Sequence, residues 1–491
     1  MSNKKNHART LLSIAVLGGL MAGVPSVQAG GLSTPTYGAP GWGRAFGGGS
    51  LFKNDPSSAF NNPAAMAFVD KTISQFTVDY ARISIKMKGQ SKDYNGDPLT
   101  RTPIAPDGSI LFDDASVVNG EGGQGGFTAW VPTGFLVMPI GDRFAFGLSQ
   151  VVPQGARTTW DNDSKYRDFA VDTKIETVGL TGSLSFKVND EFSIGAGAIV
   201  QRSQGFVSQN IDLFAAASNS PGIGKDRPTG GVALPAGIGD SLIRVKVDNV
   251  SVGWFTGVVW QPTERDSLGL NYHAKIKNKM KGNYNIYTDS VTQALLTEPS
   301  PLNPDGGTIL GAAYPGLNLY PNGAKASTQL DIPATAAFDW VHQFDDRLTV
   351  GASVMWTQWS SFQDLTLKSE GYTIVSIPYK YKDVWMYSLG GDYKLTDQWT
   401  VRAGVAFDQT PTRNSTRDPR IPDGDRVFTS LGAGYVVKQI PGLSLDAAYS
   451  HQFVEKVKLK TQNVDRLGGG SLDSEAKAHG DVVSLSATYA F

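Results

Sequence analysis

The last eleven residues of the chain, Asp481 to Phe491, read DVVSLSATYAF and decide the class of fold. Apolar side chains recur at every second position from Val483 to Phe491, with small and mostly polar side chains between them. This period of two is that of a β-strand with one apolar face. Together with the segments given next, it makes about fourteen strands, an even number as bacterial single-chain barrels have. The same alternation recurs at 73–87, 127–138, 143–152, 174–188, 192–207, 248–261, 267–282, 328–343, 348–365, 379–394, 399–407, 425–437 and 443–458.

The connections between these segments alternate between short and long. The short ones, rich in Asp, Asn, Gly and Pro, are typical hairpin turns and fall at 139–142, 189–191, 262–266, 345–346, 396–397 and 438–442. The long ones fall at 88–126, 156–173, 209–247, 283–326, 366–378, 409–424 and 459–480. Short turns on one rim and long loops on the other are typical of outer-membrane barrels. The sequence therefore predicts an all-β fold, a 14-stranded antiparallel transmembrane β-barrel.

Composition excludes several other classes. The 491 residues include no cysteine, and 44 Lys and Arg balance 45 Asp and Glu. Without cysteine there is no disulfide scaffold, thiolate metal site or cysteine nucleophile, and the balanced charge argues against nucleic-acid binding. No later stretch reaches about 18 consecutive apolar residues, as a transmembrane helix requires. Alternating strands of a barrel cross a membrane without such a stretch.

The N-terminus has the pattern of a secretory signal peptide. Lys4, Lys5 and Arg9 precede an apolar run from Leu11 to Val24, and small residues surround position 29. The apolar run is shorter than the roughly 20 residues of a membrane-spanning helix. We expect residues 1–29 to be removed by cleavage after Ala29.

Residues 30–72 lack strand alternation and are rich in glycine and proline. A segment of this length before the first strand of a barrel is either a disordered tail or an inserted plug. Two stretches of this segment are similar to the hatch of the FadL family of outer-membrane transporters. They are Gly41 to Gly48 (GWGRAFGG) and Ser58 to Ala64 (SAFNNPA). Asn62, Pro63 and Ala64 match the Asn-Pro-Ala motif of that hatch.

Further stretches resemble the family in order and spacing. They are 128–132, 139–147, 356–362, 381–383, 404–408, 421–426 and the closing 489–491. The resemblance implies a hatch at 30–72 inside the lumen of a barrel formed by residues 73–491, in the bacterial outer membrane. It implies passive, hatch-gated uptake of long-chain fatty acids, with lateral exit into the membrane. It also implies a monomer. The C-terminal strand, which ends in the aromatic Phe491, resembles the signal read by the barrel-assembly machinery. We further expect contact with outer-membrane lipid and lipopolysaccharide, and no cofactor or metal.

In the family, long loops build an external hydrophobic groove. The loops at 209–247 and 283–326 contain short apolar runs at 211–217 and 291–296, which have the character of amphipathic helices. The alternative is that these loops merely cover the mouth of the barrel.

A fatty acid carries a carboxylate, so a cationic partner is expected. Lys275, Lys277, Lys279 and Lys281 share one face by their period of two. If Leu268, Leu270, Tyr272 and Ile276 face lipid, these lysines and His273 face the lumen or rise above the membrane, where lipopolysaccharide phosphates are the alternative partner.

In the best-known member of the family, an arginine after the fifth strand and a lysine near the tenth hold the carboxylate. The corresponding positions near Ser208, Gln209 and Ile377 are not basic, although Arg202 and Lys380 lie close. The candidate head-group contacts are therefore Arg202, Lys275, Lys277 and Lys380.

The missing basic residues keep a second substrate class open. Burying about 15 methylenes contributes on the order of 12 kcal/mol, at about 0.8 kcal/mol each. A charge-assisted hydrogen bond adds only about 1.5–3 kcal/mol. Neutral hydrophobic compounds, alkanes or aromatic hydrocarbons, are therefore the alternative substrate.

Two remoter alternatives are an outer-membrane enzyme and a general porin. The histidines after residue 29 are His273, His342, His451 and His479, and none lies in a Ser/His or paired-carboxylate motif. The acidic pairs at 113–114 and 161–163 lack a full metal-ligand spacing. We therefore expect no catalysis and no metal site, and a plug argues against an open porin.

Overall fold

The computed structural model describes residues 33, 35–92, 96, 98–101, 116–212, 240–288, 323–369, 372–462 and 470–491. The predicted signal peptide and most of the loops at 209–247 and 283–326, including the run at 291–296, lie outside the described residues. In the described part of the chain, no helix is long and apolar enough to cross a bilayer.

Almost all regular structure in the described residues is β-strand. The strands are β1 Ile73–Lys92, β2 Thr100–Arg101, β3 Ser116–Val117, β4 Phe127–Ile140, β5 Phe144–Val151, β6 Gly155–Thr159, β7 Asp172–Lys187, β8 Phe192–Asp212, β9 Asp240–Trp260, β10 Asp266–His273, β11 Lys279–Tyr287, β12 Ala324–Gln329, β13 Thr335–Gln343, β14 Leu348–Thr357, β15 Asp364–Ser369, β16 Tyr372–Pro378, β17 Val384–Lys394, β18 Trp399–Asp408, β19 Arg426–Val436, β20 Leu443–Val454, β21 Val457–Gln462 and β22 Ser471–Ala490. The helices are α1 Ala39–Gly43, α2 Ser58–Asn61 and two 3-10 helices, Pro63–Phe68 and Trp359–Ser361.

All of these strands except the β2–β3 hairpin belong to one closed antiparallel barrel. β1 pairs with β22 from Ile73 opposite Ala490 to Lys92 opposite Ser471, which closes the sheet, and with β4 on its other side. Six barrel strands are interrupted and consist of two segments each: β5–β6, β10–β11, β12–β13, β14–β15, β16–β17 and β20–β21. Within the described residues the barrel thus has fourteen strands, and the predicted 14-stranded antiparallel barrel is confirmed.

The barrel has an apolar outer face, as the period-two pattern predicts. Side chains of β9 and β22 alternate between buried and exposed, and Val252, Trp254 and Leu485 are 67%, 55% and 55% exposed on the outside. Apolar groups on the outside of a closed sheet belong in contact with lipid, because the ladders pair most backbone groups of the strands within the wall.

Tight turns join the strands at one rim, which we call the short rim. These turns lie at 141–143, 188–191, 261–265, 344–347, 395–398 and 437–442, close to the predicted positions. On the opposite, long rim, the strands run further than predicted. β8 continues to Asp212, β9 begins at Asp240 and β22 begins at Ser471. The outward side chains of these extensions are mostly charged or polar, because they lie beyond the apolar band of the wall. Inward side chains can still be apolar at every second position, as Ile243, Val245 and Val247 of β9 are.

Candidate functional site

Residues 35–72, which we call the inner segment, enter the barrel instead of extending away from it. α1 packs on β18, β19, β20 and β22, and the first 3-10 helix packs on β7, β8 and β9. Trp42 and Ala59 are almost completely buried. Pro40 suits the first turn of α1, where a missing N–H group costs nothing. The chain then turns sharply, with positive φ angles at Ala45, Phe46, Gly48 and Gly49.

The Asn-Pro-Ala motif holds the inner segment to the wall. The Asn62 side chain caps the 3-10 helix by accepting a hydrogen bond from Ala64 N at 3.2 Å. Its amide also donates to the Val258 carbonyl of β9 at 3.3 Å. A Cβ atom at Gly257 would lie 2.1 Å from Asn62 Oδ1, so only glycine allows this approach. Ser193 of β8 donates to the Ala64 carbonyl at 2.9 Å. The residues of the motif thus both cap the 3-10 helix and attach it to β8 and β9 of the barrel wall.

The first turn of the inner segment touches the opposite wall through backbone atoms. The Arg44 carbonyl oxygen would lie 2.1 Å from a Cβ atom at Gly390 of β17 or at Gly404 of β18. On the other side, Ala39 N donates to Ser486 Oγ at 2.8 Å, and Trp42 Nε1 donates to Asp79 Oδ2 at 3.2 Å. The inner segment is therefore held from several sides of the barrel.

A network of charges adds to this attachment. Arg44, whose side chain is 2% exposed, pairs with Asp55 and with Asp392 of β17, both at 3.2 Å. Asp392 also binds Arg402 of β18 at 3.2 Å, and Arg402 binds Asp446 of β20 at 2.8 Å. We call these five residues the ion-pair latch. Sequence reasoning missed it, although isolated charges in segments of small and apolar residues were a visible signal.

The inner segment divides the lumen into two spaces. Toward the short rim lies a space of about 1010 Å³, lined by the turns and by the latch residues Arg44, Asp55, Asp392, Arg402 and Asp446. Above the inner segment lies a smaller space of about 170 Å³, which we call the inner cavity. Its wall includes apolar side chains of both the inner segment and the barrel, among them Phe46, Phe60, Ile199, Ile276 and Met355. The described structure thus has an apolar compartment closed below by the inner segment.

Uncharged polar groups complete the lining of the inner cavity. They include Thr36, Asn61, Gln154, Gln201 and Asn271. Among the described residues that line it there is no lysine or arginine. Its acidic side chains are engaged: Asp339 accepts from Asn271 at 3.2 Å, and Asp408 lies 3.7 Å from Arg426.

Above the inner cavity, toward the long rim, the lumen is aromatic. Trp359, Phe362, Tyr379 and Tyr381 form edge-on and stacked contacts with ring centroids 5.0 to 5.7 Å apart. They belong to a buried apolar cluster that includes Ile421. Residues 409–425 fold inward over this cluster, and Thr416 donates to the Tyr379 carbonyl. We call the region between this fold and the inner cavity the mouth.

The mouth contains three buried guanidinium groups. Arg420 donates to both oxygens of Asp418 at 2.8 and 2.9 Å, and Arg426 pairs with Asp408 and Asp423. Arg417, in contrast, donates to uncharged oxygens in the described structure. Its Nε atom donates to Thr412 Oγ1 and to the Asp423 carbonyl. Its Nη1 atom donates to the Asn414 side chain and to the Lys458 carbonyl. Burial lowers the pKa of Arg417, partly offset by nearby carboxylates such as Asp423. Arg417, which the sequence did not identify, is therefore a buried cation at the mouth whose described hydrogen bonds all go to uncharged oxygens.

The four head-group candidates from the sequence do not face the inner cavity. Arg202 lies on the outer face of β8, where it pairs with Asp248 at 3.5 Å and is 60% exposed. Lys275 is also exposed and pairs with Asp331 at 3.4 Å, and Lys277 is exposed beside it. Lys380 is exposed at the long rim with a positive φ of 48°.

The lysine stripe lies outside because the strand pattern changes phase between β10 and β11. Tyr272 faces outward and His273 inward, but after the interruption Lys275 faces outward and Ile276 inward. The expected outward position of Ile276 was therefore wrong. One extra residue in a strand moves all following side chains to the other face.

The wall is interrupted next to the inner cavity at β5–β6. The β4–β5 ladder ends at Gly134 opposite Gln150, and β6 pairs with β7 on its other side. Pro132 and Pro153 lie at this point, and proline cannot donate a ladder hydrogen bond. Gln154 lines the inner cavity and bridges to Ser33, just before the inner segment. In the described residues no ladder joins β4 to β6, so the wall is discontinuous here.

Among the described residues, no cluster of three or more His, Asp or Glu side chains has the arrangement of a metal site. The His273 ring stacks on Phe255 at 5.1 Å, and its Nε2 lies 3.3 Å from the Asn61 carbonyl. His342 and His451 pair with Asp266 and Asp481, both at 2.8 Å.

Comparison with known proteins identifies the family. A family model described as "Outer membrane protein transport protein (OMPP1/FadL/TodX)" matches residues 20–491. The chain is 25% identical over 491 residues to the long-chain fatty acid transport protein of Escherichia coli K12, covering 97% of this chain and 98% of the relative. It is 25% identical over 507 residues to outer membrane protein P1 of Haemophilus influenzae, covering 99% and 100%.

Solved structures agree. A Pseudomonas aeruginosa FadL homologue is 62% identical, with a TM-score of 0.85, over 94% of this chain and 100% of that one. The Pseudomonas putida toluene transporter TodX has a TM-score of 0.61 at 16% identity, over 93% and 98%, and shares the fold. The predicted family and location are confirmed: the chain is a β-barrel of the bacterial outer membrane and belongs to the OMPP1/FadL/TodX family of transport proteins.

Proposed function

We propose that this protein takes up long-chain fatty acids across the outer membrane by passive, hatch-gated diffusion with lateral exit into the membrane. The observation that carries the proposal is the apolar compartment above the inner segment, which adjoins a discontinuity in the wall. The name of the Escherichia coli relative, a long-chain fatty acid transport protein, supports this substrate.

The aromatic mouth and the inner cavity supply a continuous apolar environment for an alkyl chain. Trp359, Phe362 and Tyr381 belong to the buried apolar cluster at the mouth, and Trp359 also lines the inner cavity. Burial of apolar surface is the dominant source of affinity for such a ligand, at about 0.8 kcal/mol for each methylene. The free energy of an alkyl chain captured at the long rim therefore falls as the ligand moves inward, so this step needs no energy source.

The inner segment, within residues 30–72, acts as the hatch in this proposal. It separates the apolar cavity from the polar space at the short rim, and the ion-pair latch anchors it. An amphiphile that leaves downward would enter water, which is unfavourable for its apolar chain. Exit through the interruption between β4 and β5–β6 leads instead to lipid, and movement of the hatch near Gln154 would open it.

We infer that the carboxylate of a fatty acid pairs with Arg417 rather than with Arg202, Lys275, Lys277 or Lys380. Arg417 is buried at the aromatic cluster, and its described acceptors are uncharged. The other four are exposed. Lysines on the outer face suit the phosphates of lipopolysaccharide instead, which remains a proposed contact of this surface.

Neutral hydrophobic compounds are the second candidate substrate. The absence of lysine and arginine from the described lining of the inner cavity favours them. The toluene transporter TodX, which shares the fold, is named for such a compound. A monomer, assembled through its C-terminal strand by the barrel-assembly machinery, completes the proposal.

The test is a competition experiment with the full-length protein purified in a mild detergent. Bound compounds are extracted and identified by mass spectrometry, and labelled oleate is competed with unlabelled oleate or with an alkane of equal length. Recovery of fatty acids, with oleate the better competitor, supports the fatty-acid proposal. Equal competition by the alkane, with neutral hydrocarbons recovered, contradicts it and supports the second candidate. The variant Arg417→Gln separates the two further, because it weakens oleate binding only if the carboxylate is recognised.

A further inference from the structure

A second interruption of the wall lies between β9 and the strand formed by β10 and β11. β9 pairs with β10 from Phe255 to Trp260, and with β11 from Leu242 to Asp248. Between these ladders, residues 249–254 face residues 274–280, and we call this region the seam. Two hydrogen bonds cross it in the described structure: Ala274 N to the Trp254 carbonyl at 3.0 Å, and Asn249 Nδ2 to Asn278 Oδ1 at 2.9 Å.

The seam is more extensive than an ordinary β-bulge. A bulge sets two residues opposite one and then resumes the ladder. Here the register shifts by one residue, and between the two ladders the described hydrogen bonds across the stretch are the two given above. The same residues of β9 pair fully with β8, and Ile276 still bonds to Ile332 on the neighbouring strand. Residues 249–254 of β9 therefore lack a ladder only on the side of β10 and β11.

The inner cavity reaches the seam from within. Trp254 on one side and Ala274 and Ile276 on the other all line it. The Ile276 side chain closes the gap: its Cδ1 atom lies 2.5 Å from where a Cβ atom of Gly253 would be. A side chain at position 253 would occupy the same space. Glycine there leaves room for the Ile276 side chain to act as a gate that blocks the seam.

The outer side of the seam is amphipathic. Val250 and Val252 are 61% and 67% exposed on β9. Lys275 and Lys277 are exposed on the opposite edge of the seam. Apolar and cationic groups in this arrangement match a single-chain amphiphile with an anionic head group, whose chain passes between the strands while its head meets the lysines.

The hatch contacts this part of the wall. Phe60 packs edge-on against Phe255 and His273, with ring centroids 5.5 and 4.7 Å apart. Phe60 and Ile276 belong to one buried cluster, and His273 lies at the end of β10 where the seam begins. Displacement of the hatch would therefore remove packing that supports Ile276.

We propose that the seam is a second lateral passage, gated by Ile276, between the inner cavity and the outer leaflet, for single-chain anionic amphiphiles such as fatty acids. This inference rests on the proposed function and adds a second route on a different side of the barrel. The lysine stripe then serves the outside of this passage and not the lumen.

The test uses reversible disulfide locks in the full-length protein, which has no native cysteine. Asn249→Cys with Asn278→Cys closes the seam. Asn249→Cys with Ser203→Cys is the matched control, because these two residues are directly paired in the intact β8–β9 ladder. Each variant is first shown to be folded by circular dichroism. Oleate uptake by cells lacking their own transporter is then measured in oxidised and reduced protein.

The seam lock should roughly halve oleate uptake, reduction should restore it, and the control lock should have no effect. In a second measurement, a photoactivatable fatty acid should label residues 249–254 or 274–280 of the unlocked protein. Unchanged uptake with the seam locked, together with no labelling of these residues, overturns the inference. If the unlocked protein takes up no oleate, the proposed function fails as well. If oleate uptake falls only when the β4–β5 interruption is locked, the proposed function stands and the inference about the seam is refuted.

Discussion

The ion-pair latch makes a quantitative prediction for Arg44→Gln. Arg44 is buried and contacts Asp55 and Asp392 at 3.2 Å. Opposite charges about 4 Å apart interact by about 4 kcal/mol at an effective dielectric constant of about 20. Removing one partner of a buried pair costs about 3–5 kcal/mol. Because Asp55 and Asp392 are 10% and 18% exposed toward the polar space, we take the lower end of that range.

A loss of about 3 kcal/mol shifts an equilibrium about a hundredfold, since about 1.4 kcal/mol is a factor of ten. If the latch holds the hatch closed, Arg44→Gln should increase the population of open channels by about that factor. The open probability of the full-length protein in single-channel recordings from planar bilayers measures this. Lys53→Gln is the control, because Lys53 pairs with Asp70 at the surface with 79% of its side chain exposed. A folded Arg44→Gln barrel with the open probability of the wild type would refute the latch.

Three further predictions concern the docking of the inner segment and the mouth. Asn62→Ala removes a helix cap and a bond to the wall, so it should lower stability by about 1–2 kcal/mol in thermal unfolding, whereas Asn283→Ala at an exposed position of β11 should not. Gly257→Leu should displace the hatch and raise small-solute conductance, because a Cβ atom there meets the Asn62 side chain at 2.1 Å; a closed channel would contradict this. Arg417→Gln should weaken oleate binding by about 1.5–3 kcal/mol without affecting an alkane, while Arg202→Gln should change neither; equal losses for both ligands would argue against head-group recognition.

Much of the barrel was predictable because lipid imposes the same period of two on every strand. The closing strand shows this: Val483, Leu485 and Tyr489 alternate with small residues, and all three lie on β22 in the structure. Strand ends at the long rim were not predictable. β1 was predicted to end at residue 87, but residues 88–92 (KGQSK), which include no apolar side chain, still pair with β22.

The site was only partly predictable, since its contacts are long-range. The position of Asn62 came from a local motif, but the need for glycine at position 257 depends on a contact between residues almost 200 positions apart. The lysine stripe was found by its period, yet its face depends on the interruption between β10 and β11. Leu268, Leu270, Tyr272 and Ile276 keep a period of two across the interruption, so the sequence pattern does not show the shift of one position.

The central claim is lateral passage of a hydrophobic compound through the wall above a closed hatch. Its most direct test is a disulfide at positions that would face each other if the β4–β5 ladder continued, made by Pro132→Cys with Val152→Cys. Oleate uptake is measured in the same cells before and after reduction. The account predicts that uptake falls when the bond forms and returns when it is reduced, with small hydrophilic solutes excluded throughout. Unchanged oleate uptake in the locked protein would contradict it.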